Sequence, residues 1–287
     1  MPPNPYFKSP LNYTGGKHKL LPQIIPIFEN LGNINTFVDL FCGGYNVGLN
    51  VNTRRIIAND LNKQVIDLLN CIKETKIEDI LRYIRKRIDQ YGLNITNQEG
   101  YDDFREFYNN SDKNPLDLFV LICFSFNHQI RFNKKDEYNM PFGKNRSAYN
   151  ATIEKNLINF KKKIDKQNVF FVNKDFSELK IEKLTENDLV YCDPPYLITC
   201  ATYNEKDGWN DKKEVQLLSL LDNIDSKNIK FALSNVFQSK GKVNQILIDW
   251  TESNKYTVHH LNNTYANCNY HTKDKETKPD EVLICNF

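Results

Sequence analysis

FVDLFCGGYNVG, residues 37–48, runs an apolar, β-type segment into an acid and then a glycine pair. In a doubly wound sheet, a strand ending on a glycine turn is where the backbone comes close to a nucleotide ligand, at the carboxyl end of the strand. The full G-x-G-x-x-G spacing is missing, and Tyr45 stands where a dinucleotide binder needs a small residue, which disfavours NAD. Two glycines after a strand also make an ordinary tight turn, so the surroundings must decide.

Those surroundings alternate. Short apolar runs at 36–40 and 55–60, carrying Asp39 and Asp60 at or near their ends, predict buried strands, as do 168–172, 188–192, 229–233 and 281–286. Helices are expected at 76–91, where Ile77, Leu81, Ile84 and Ile88 recur at helical spacing before Gly92, and at 213–221. Strands alternating with helices argue for an α/β fold with a largely parallel sheet. Residues 71–165 break this rhythm with helices at 76–91 and 100–109, an apolar run at 115–126 and the polar loop RFNKKDEYNMPFGKNR at 131–146. This is the pattern of an inserted, mainly helical subdomain, and a polar loop of that length in a compact protein is usually functional.

At 287 residues the chain can bury a sizeable core. Its net charge of +2 is unevenly spread: Arg131 to Lys163 holds nine basic against three acidic side chains, so the remainder is net negative. A charge run is usually a solvated face, and it can also be a phosphate-facing one. The seven cysteines, Cys42, Cys71, Cys123, Cys192, Cys200, Cys268 and Cys285, never form C-x-x-C, which argues for reduced cysteines packed as small hydrophobes and against zinc or a disulfide framework. No uncharged apolar stretch approaches the roughly 20 residues of a membrane helix. A soluble, cytoplasmic protein is expected.

Two further motifs carry chemistry. LNYTGGKHKLL, 11–21, contains only GGK of a phosphate loop, so a triphosphatase is rejected, but a lysine fixed by a glycine turn suits a carboxylate partner. NDLVYCDPPYLITC, 187–200, runs a strand into Asp193-Pro194-Pro195-Tyr196. The prolines fix a stiff turn without amide hydrogens, Asp193 adds an acceptor-only carboxylate and Tyr196 a flat face. Together they suit a planar substrate with an exposed amino group.

NYTGGK (12–17), FVDLFCGG (37–44), IIAND (56–60), IRFNKKDEYNMPFG (130–143), LVYCDPPY (189–196), ALSN (232–235) and YANCNYH with DEVLICNF (265–287) occur in the order found in Dam-type, α-class (D12 class) DNA adenine-N6 methyltransferases, which this chain resembles over nearly its whole length. The resemblance implies a Rossmann-like methyltransferase mixed sheet, with 1–70 and 166–287 as the catalytic domain and 71–165 as an inserted, mainly helical target-recognition domain. It implies S-adenosylmethionine binding by Tyr13, Lys17, Asp39, Phe41, Gly43, Asp60, Asp175, Phe176 and Asp193, and catalysis by Asp193, Pro194, Pro195 and Tyr196. Contacts to double-stranded DNA are expected from Asn127, Arg131, Asn133, Pro141, Lys144 and Arg146, with Arg131 reading a base edge, since arginine to guanine is the commonest specific contact. Lys161, Lys162 and Lys163 are read as phosphate contacts or solvated side chains.

The expected reaction is transfer of a methyl group to the adenine amino nitrogen of a flipped base, with GATC as the candidate site, no metal, and a monomer or weak dimer. A cognate restriction endonuclease acting independently is the candidate partner. Methylation of the cytosine amino group and a noncatalytic DNA-binding protein on a methyltransferase core are the competing readings. Asp193 argues against glutamine-methylating enzymes, which typically carry asparagine there.

Overall fold

The computed structural model describes residues 4–199, 208–262 and 279–287. Cys200, Cys268 and the motif YANCNYH lie outside the described residues.

Eight strands form one sheet: β1 (Thr36–Asp39), β2 (Arg55–Asn59), β3 (Val169–Val172), β4 (Leu189–Cys192), β5 (Lys230–Ser239), β6 (Lys242–Val243), β7 (Thr257–Leu261) and β8 (Asp280–Cys285). Their order is β3-β2-β1-β4-β5-β8-β7, with β6 paired to β5 alone. The first five run parallel, and β8 enters antiparallel between β5 and β7. The sheet is therefore mixed, as the resemblance implies, and the order reverses between β1 and β4, the switch point at which α/β sheets open a ligand crevice.

Side-chain alternation assigns the two faces. Phe37, Leu189 and Tyr191 point into one hydrophobic cluster, and Val38, Val190 and Cys192 into the other. Because both faces are covered, β1 and β4 are buried at every position, and their sequences read as continuous apolar runs. The second cluster lies under α7 (Asp211–Ser226) and α8 (Gln245–Asn254).

The first cluster extends from α1 (Leu21–Glu29) and α2 (Lys63–Glu74) into the helices of the insert: α3 (Ile77–Gln90), α4 (Gln98–Asn110), α5 (Pro115–Phe124) and α6 (Ala151–Ile164). The apolar run at 115–126 is α5, begun by Pro115 after the Asn114 cap, whose side chain accepts from the Leu116 amide at 2.9 Å. Every residue of α5 after Pro115 is buried, the signature of a helix enclosed on all sides. Its single charge, Asp117, is held by Arg87 at 2.8 Å and the Tyr83 hydroxyl at 2.9 Å. The helical segment thus shares a core with the sheet.

Two details differ from the expectations, and one goes beyond them. Strand β5 runs past residue 233 to Ser239 because β6 and β8 pair with its second half. Tyr45, in the turn after β1, is fully buried, its ring 4.9 Å from Phe171 and its hydroxyl donating to Gln167 at 3.0 Å. Lys161 is neither solvated nor placed for a phosphate: it is buried, bonded to the Lys73 carbonyl at 3.1 Å and paired with Asp165. Of the described cysteines, Cys42, Cys123, Cys192 and Cys285 are buried and Cys71 is partly buried, all as free thiols.

Candidate active site

Four loops leave the carboxyl ends of β1, β2, β3 and β4 toward the same side of the sheet, and the segment before α1 folds over them. The turn after β1 carries Gly43 at φ +46°, and a Cβ there would lie 2.7 Å from the Tyr13 ring. Only glycine allows Tyr13 to pack that closely while the backbone takes a left-handed conformation. Asp60, following β2, accepts from the Gly43 amide at 2.8 Å through one oxygen and from the Asn62 amide at 2.8 Å through the other. These bonds hold the glycine turn shut, and each oxygen keeps a further lone pair for a ligand hydroxyl.

All the residues expected to bind a cofactor or catalyse line one cleft: Tyr13, Lys17, Asp39, Phe41, Gly43, Asp60, Asp175, Phe176, Asp193, Pro194, Pro195 and Tyr196. One wall is aromatic, with ring centroids of Phe41, Phe176 and Trp209 5.5–5.8 Å apart. Asp175 starts the turn that presents Phe176, accepting from the Ser177 amide at 3.0 Å.

A second set of residues is charged. Lys17 Nζ lies 2.8 Å from Asp193 Oδ1, 3.6 Å from Glu281 Oε1 and 5.0 Å from the Tyr196 ring centroid. The Tyr196 hydroxyl lies 3.2 Å from Asp193 Oδ1 and 3.2 Å from Glu281 Oε1. Burial pushes the carboxyls of Asp39, Asp60 and Asp193 above the ordinary range, Asp39 to about 8. Asp193 and Asp60 add to the shift of Asp39, the Gly48 amide opposes it, and Lys17 opposes that of Asp193. An acidic, partly desolvated cleft with a stacking wall suits a ligand that is planar at one end and cationic at the other.

A sequence model of the D12 class N6 adenine-specific DNA methyltransferases matches residues 13–276. The chain belongs to this family. It is 49% identical over 288 residues to the type II methyltransferase M.FokI of Planomicrobium okeanokoites, a match covering 99% of this chain and 43% of that protein. It is 44% identical to the modification methylase StsI of Streptococcus sanguinis, over 98% of this chain and 43% of that protein. The DNA adenine methylase of Escherichia coli K12 is 28% identical over 78% of this chain and 79% of its own length. The chain therefore spans under half the length of M.FokI and StsI.

The family implies S-adenosylmethionine as methyl donor, and the residues present fit it. Its sulfonium and ammonium charges match the acidic wall, its adenine the aromatic wall, and its ribose hydroxyls Asp60. Asn59 adds a buried acceptor: its amide nitrogen donates to the Leu40 and Lys174 carbonyls at 3.0 and 3.1 Å, while Oδ1 is buried with no partner among the described residues. A buried unsatisfied acceptor beside a cleft is what a donor on a ligand would satisfy.

The residues expected to contact DNA stand apart from this cleft, on the loop after α5 and a small hairpin. Phe132 bridges to Tyr138, the Asn139 amide donates to the Arg131 carbonyl at 3.1 Å, and Asp136 turns the corner at φ +59°. Arg131 is braced from within, its Nε 2.8 Å from Asn139 Oδ1 and its Nη2 2.9 Å from the Asn139 carbonyl. Asn133 closes the hairpin, donating to Glu137 at 2.7 Å and accepting from the amides of Lys135 and Glu137. The Pro141 carbonyl accepts from the Phe126 amide at 2.8 Å, and the Arg146 guanidinium lies 4.7 Å over the Phe126 ring. Asn127 and Lys144 are exposed, and the Asn127 carbonyl accepts from Asn12 at 2.8 Å, joining this loop to the segment that carries Tyr13 and Lys17.

Sequence reasoning missed Trp209, Asn59 and Glu281 as members of the site. The available signal for Glu281 was an acid at the head of the apolar run VLIC, 282–285, and for Asn59 an amide between an apolar strand and Asp60. Trp209 carries no local signal.

Proposed function

We propose that this chain transfers a methyl group from S-adenosylmethionine to the exocyclic amino group of adenine in double-stranded DNA. The observation that carries the reading is the cluster of Asp193, Lys17 and Tyr196 at the switch point, sharing one cleft with the aromatic residues Phe41, Phe176 and Trp209. In this reading Asp60 and Asn59 take the ribose end of the cofactor, Phe41 and Phe176 its adenine, and Asp39, giving up its proton as the positive charge arrives, its cationic end. Bound there, S-adenosylmethionine supplies an electrophilic methyl group.

The target adenine must leave the duplex to reach it, at a cost of a few kcal/mol in unstacking. Lys17 covers one face of the Tyr196 ring, and the base stacks on the other, returning about 1–3 kcal/mol. Asp193 and the Pro194 carbonyl accept from the amino group, localising its lone pair, and the rigid proline turn holds both acceptors in place. As the nitrogen becomes positive during transfer, the Asp193 carboxylate stabilises it in a partly desolvated site.

Residues 71–165 act as the target-recognition unit, and 1–70 with 166–287 as the catalytic unit. Arg131, aimed by Asn139, reads a base edge with its remaining nitrogen Nη1, while Asn133 shapes the hairpin. Asn127, Pro141, Lys144 and Arg146 contact the flanking DNA. GATC is the first sequence to test. The protein acts as a monomer or weak dimer in the cytoplasm, beside an independently acting restriction endonuclease. Incubating purified chain with tritium-labelled cofactor and DNA of random sequence, then mapping the labelled positions, tests the reading. Label on adenine at one recurring site is the expected result; label on cytosine, or none, overturns it.

A further inference from the structure

Glu281 has no role in the account above, yet it is one of the most buried charges in the chain, its side chain 1% exposed within β8. Removing a carboxylate from water costs several kcal/mol, and an apolar residue of similar size would often serve a fold equally well. The groups around this carboxylate belong to the candidate site. The Tyr196 hydroxyl is 3.2 Å from Glu281 Oε1 and equally far from Asp193 Oδ1, and Lys17 Nζ approaches Glu281 to 3.6 Å while holding Asp193 at 2.8 Å. The placement is built by the sheet: β8 pairs antiparallel with β5, register Val236 to Glu281, and β5 lies beside β4, which feeds directly into Asp193.

A tyrosine at the start of an irregular loop has two rotatable bonds, so its ring plane is fixed only if its far end is held. Here the hydroxyl is bridged between two carboxylates on different elements, one in the loop after β4 and one in β8.

We propose that Glu281 is a positioning residue for methyl transfer, acting through the Tyr196 hydroxyl to set the ring plane against which the target base stacks. The inference rests on the reading of the cleft as a methyltransferase site.

The test is a double-mutant cycle on the full chain, read as the single-turnover methylation rate on duplex DNA with saturating cofactor. Glu281→Leu removes the acceptor at similar volume, Glu281→Gln retains an acceptor, and Tyr196→Phe removes the hydroxyl and keeps the ring. Glu281→Leu is expected to slow the rate by up to roughly 10²-fold, the scale of a small misplacement of reacting groups. Glu281→Gln should recover most of that loss, and the Leu/Phe double variant should be no slower than the slower single variant, because both break one contact. Affinity for S-adenosylhomocysteine, measured by calorimetry, should change less than about threefold, since Glu281 stands behind Tyr196 and Lys17 and is not among the residues that line the cleft.

A wild-type rate in Glu281→Leu, no recovery in Glu281→Gln, or multiplicative losses in the double variant would each overturn the proposal. Should Glu281→Leu melt below the assay temperature, the same cycle with Glu281→Gln and Tyr196→Phe decides it, coupling supporting the proposal and additivity refuting it. Wild-type protein that methylates no DNA overturns the functional reading and this inference together, whereas active wild type with an unaffected Glu281→Leu overturns the inference alone.

Discussion

In the cleft, Lys17, Asp193, Glu281 and the Tyr196 hydroxyl approach one another within 3.6 Å on three separate elements, and the most exposed of the three charged side chains is Asp193 at 17%. In the hairpin, Lys134, Lys135, Lys144 and Arg146 stand exposed on one continuous stretch, and the part-buried groups, Arg131 and Asn133, bond to residues of that same stretch. The first region is assembled by the fold and needs the sheet to exist. The second draws much of its shape from bonds within sixteen consecutive residues, is tied back to α4 where Tyr101 and Arg105 donate to the Met140 carbonyl, and offers its charges to whatever approaches. A substitution in the cleft should therefore act on chemistry while leaving DNA affinity in place, and one in the hairpin the reverse.

The largest break of that contrast is Asp193→Ala. It should lower the methylation rate by at least roughly 10²–10³-fold, the scale of losing one preorganised group at a developing charge. Gel-shift affinity for duplex DNA should stay within a few-fold. Sustained turnover in this variant would remove Asp193 from catalysis.

Next comes Lys17→Met. Burial raises the Asp193 carboxyl and Lys17 opposes that rise, so removing the ammonium leaves the acid harder to ionise. If the ionised form accepts from the amino group, the acidic limb of the pH profile of the single-turnover rate should move to higher pH. A profile that keeps its shape would mean that Lys17 serves only the fold.

On the hairpin side, Arg131→Ala should cost about 1–3 kcal/mol of discrimination at one base pair, read by competition among duplexes with single changes. Lys144→Ala should weaken binding evenly across sequences and reduce the slope of log affinity against log salt by about one. If Arg131→Ala behaves like Lys144→Ala, Arg131 is a phosphate contact.

The same contrast explains what the sequence could reveal. Asp193-Pro194-Pro195-Tyr196 is legible because its chemistry lies in four adjacent residues, and Gly43 because a strand must precede its turn. Glu281 reaches the cluster from β8 through pairing with β5, a contact no local pattern encodes. Lys161 misleads because a side chain that is usually exposed is here drawn into the core by a partner distant in sequence, the Lys73 carbonyl. Strand β7, with two histidines among five residues, lacks the apolar run that marks β1 and β4, because none of its first four positions is buried.

The effect farthest from the chemistry is on stability. Burial lifts Asp39 to about 8, with Asp193 and Asp60 adding to the shift, against roughly 3.9 for a free side chain. Between those values the unfolded chain has released this proton and the folded chain keeps it, so folding takes up a proton and stability falls as pH rises. Above about 8 both states are ionised and the contribution levels off. Asp39→Asn cannot titrate, yet its side-chain oxygen can still accept from the Gly48 amide that now lies 3.1 Å from Asp39 Oδ2. The stability of wild type relative to Asp39→Asn should therefore decline from about pH 5 to about pH 8 and then flatten, as read from urea midpoints. Asp60 and Asp193 are raised in the same direction, so the variant keeps part of the slope of the wild type. A difference between the two proteins that is constant across this range would show that Asp39 is ionised in the folded cleft, and that the acidic wall is more hydrated than its burial implies.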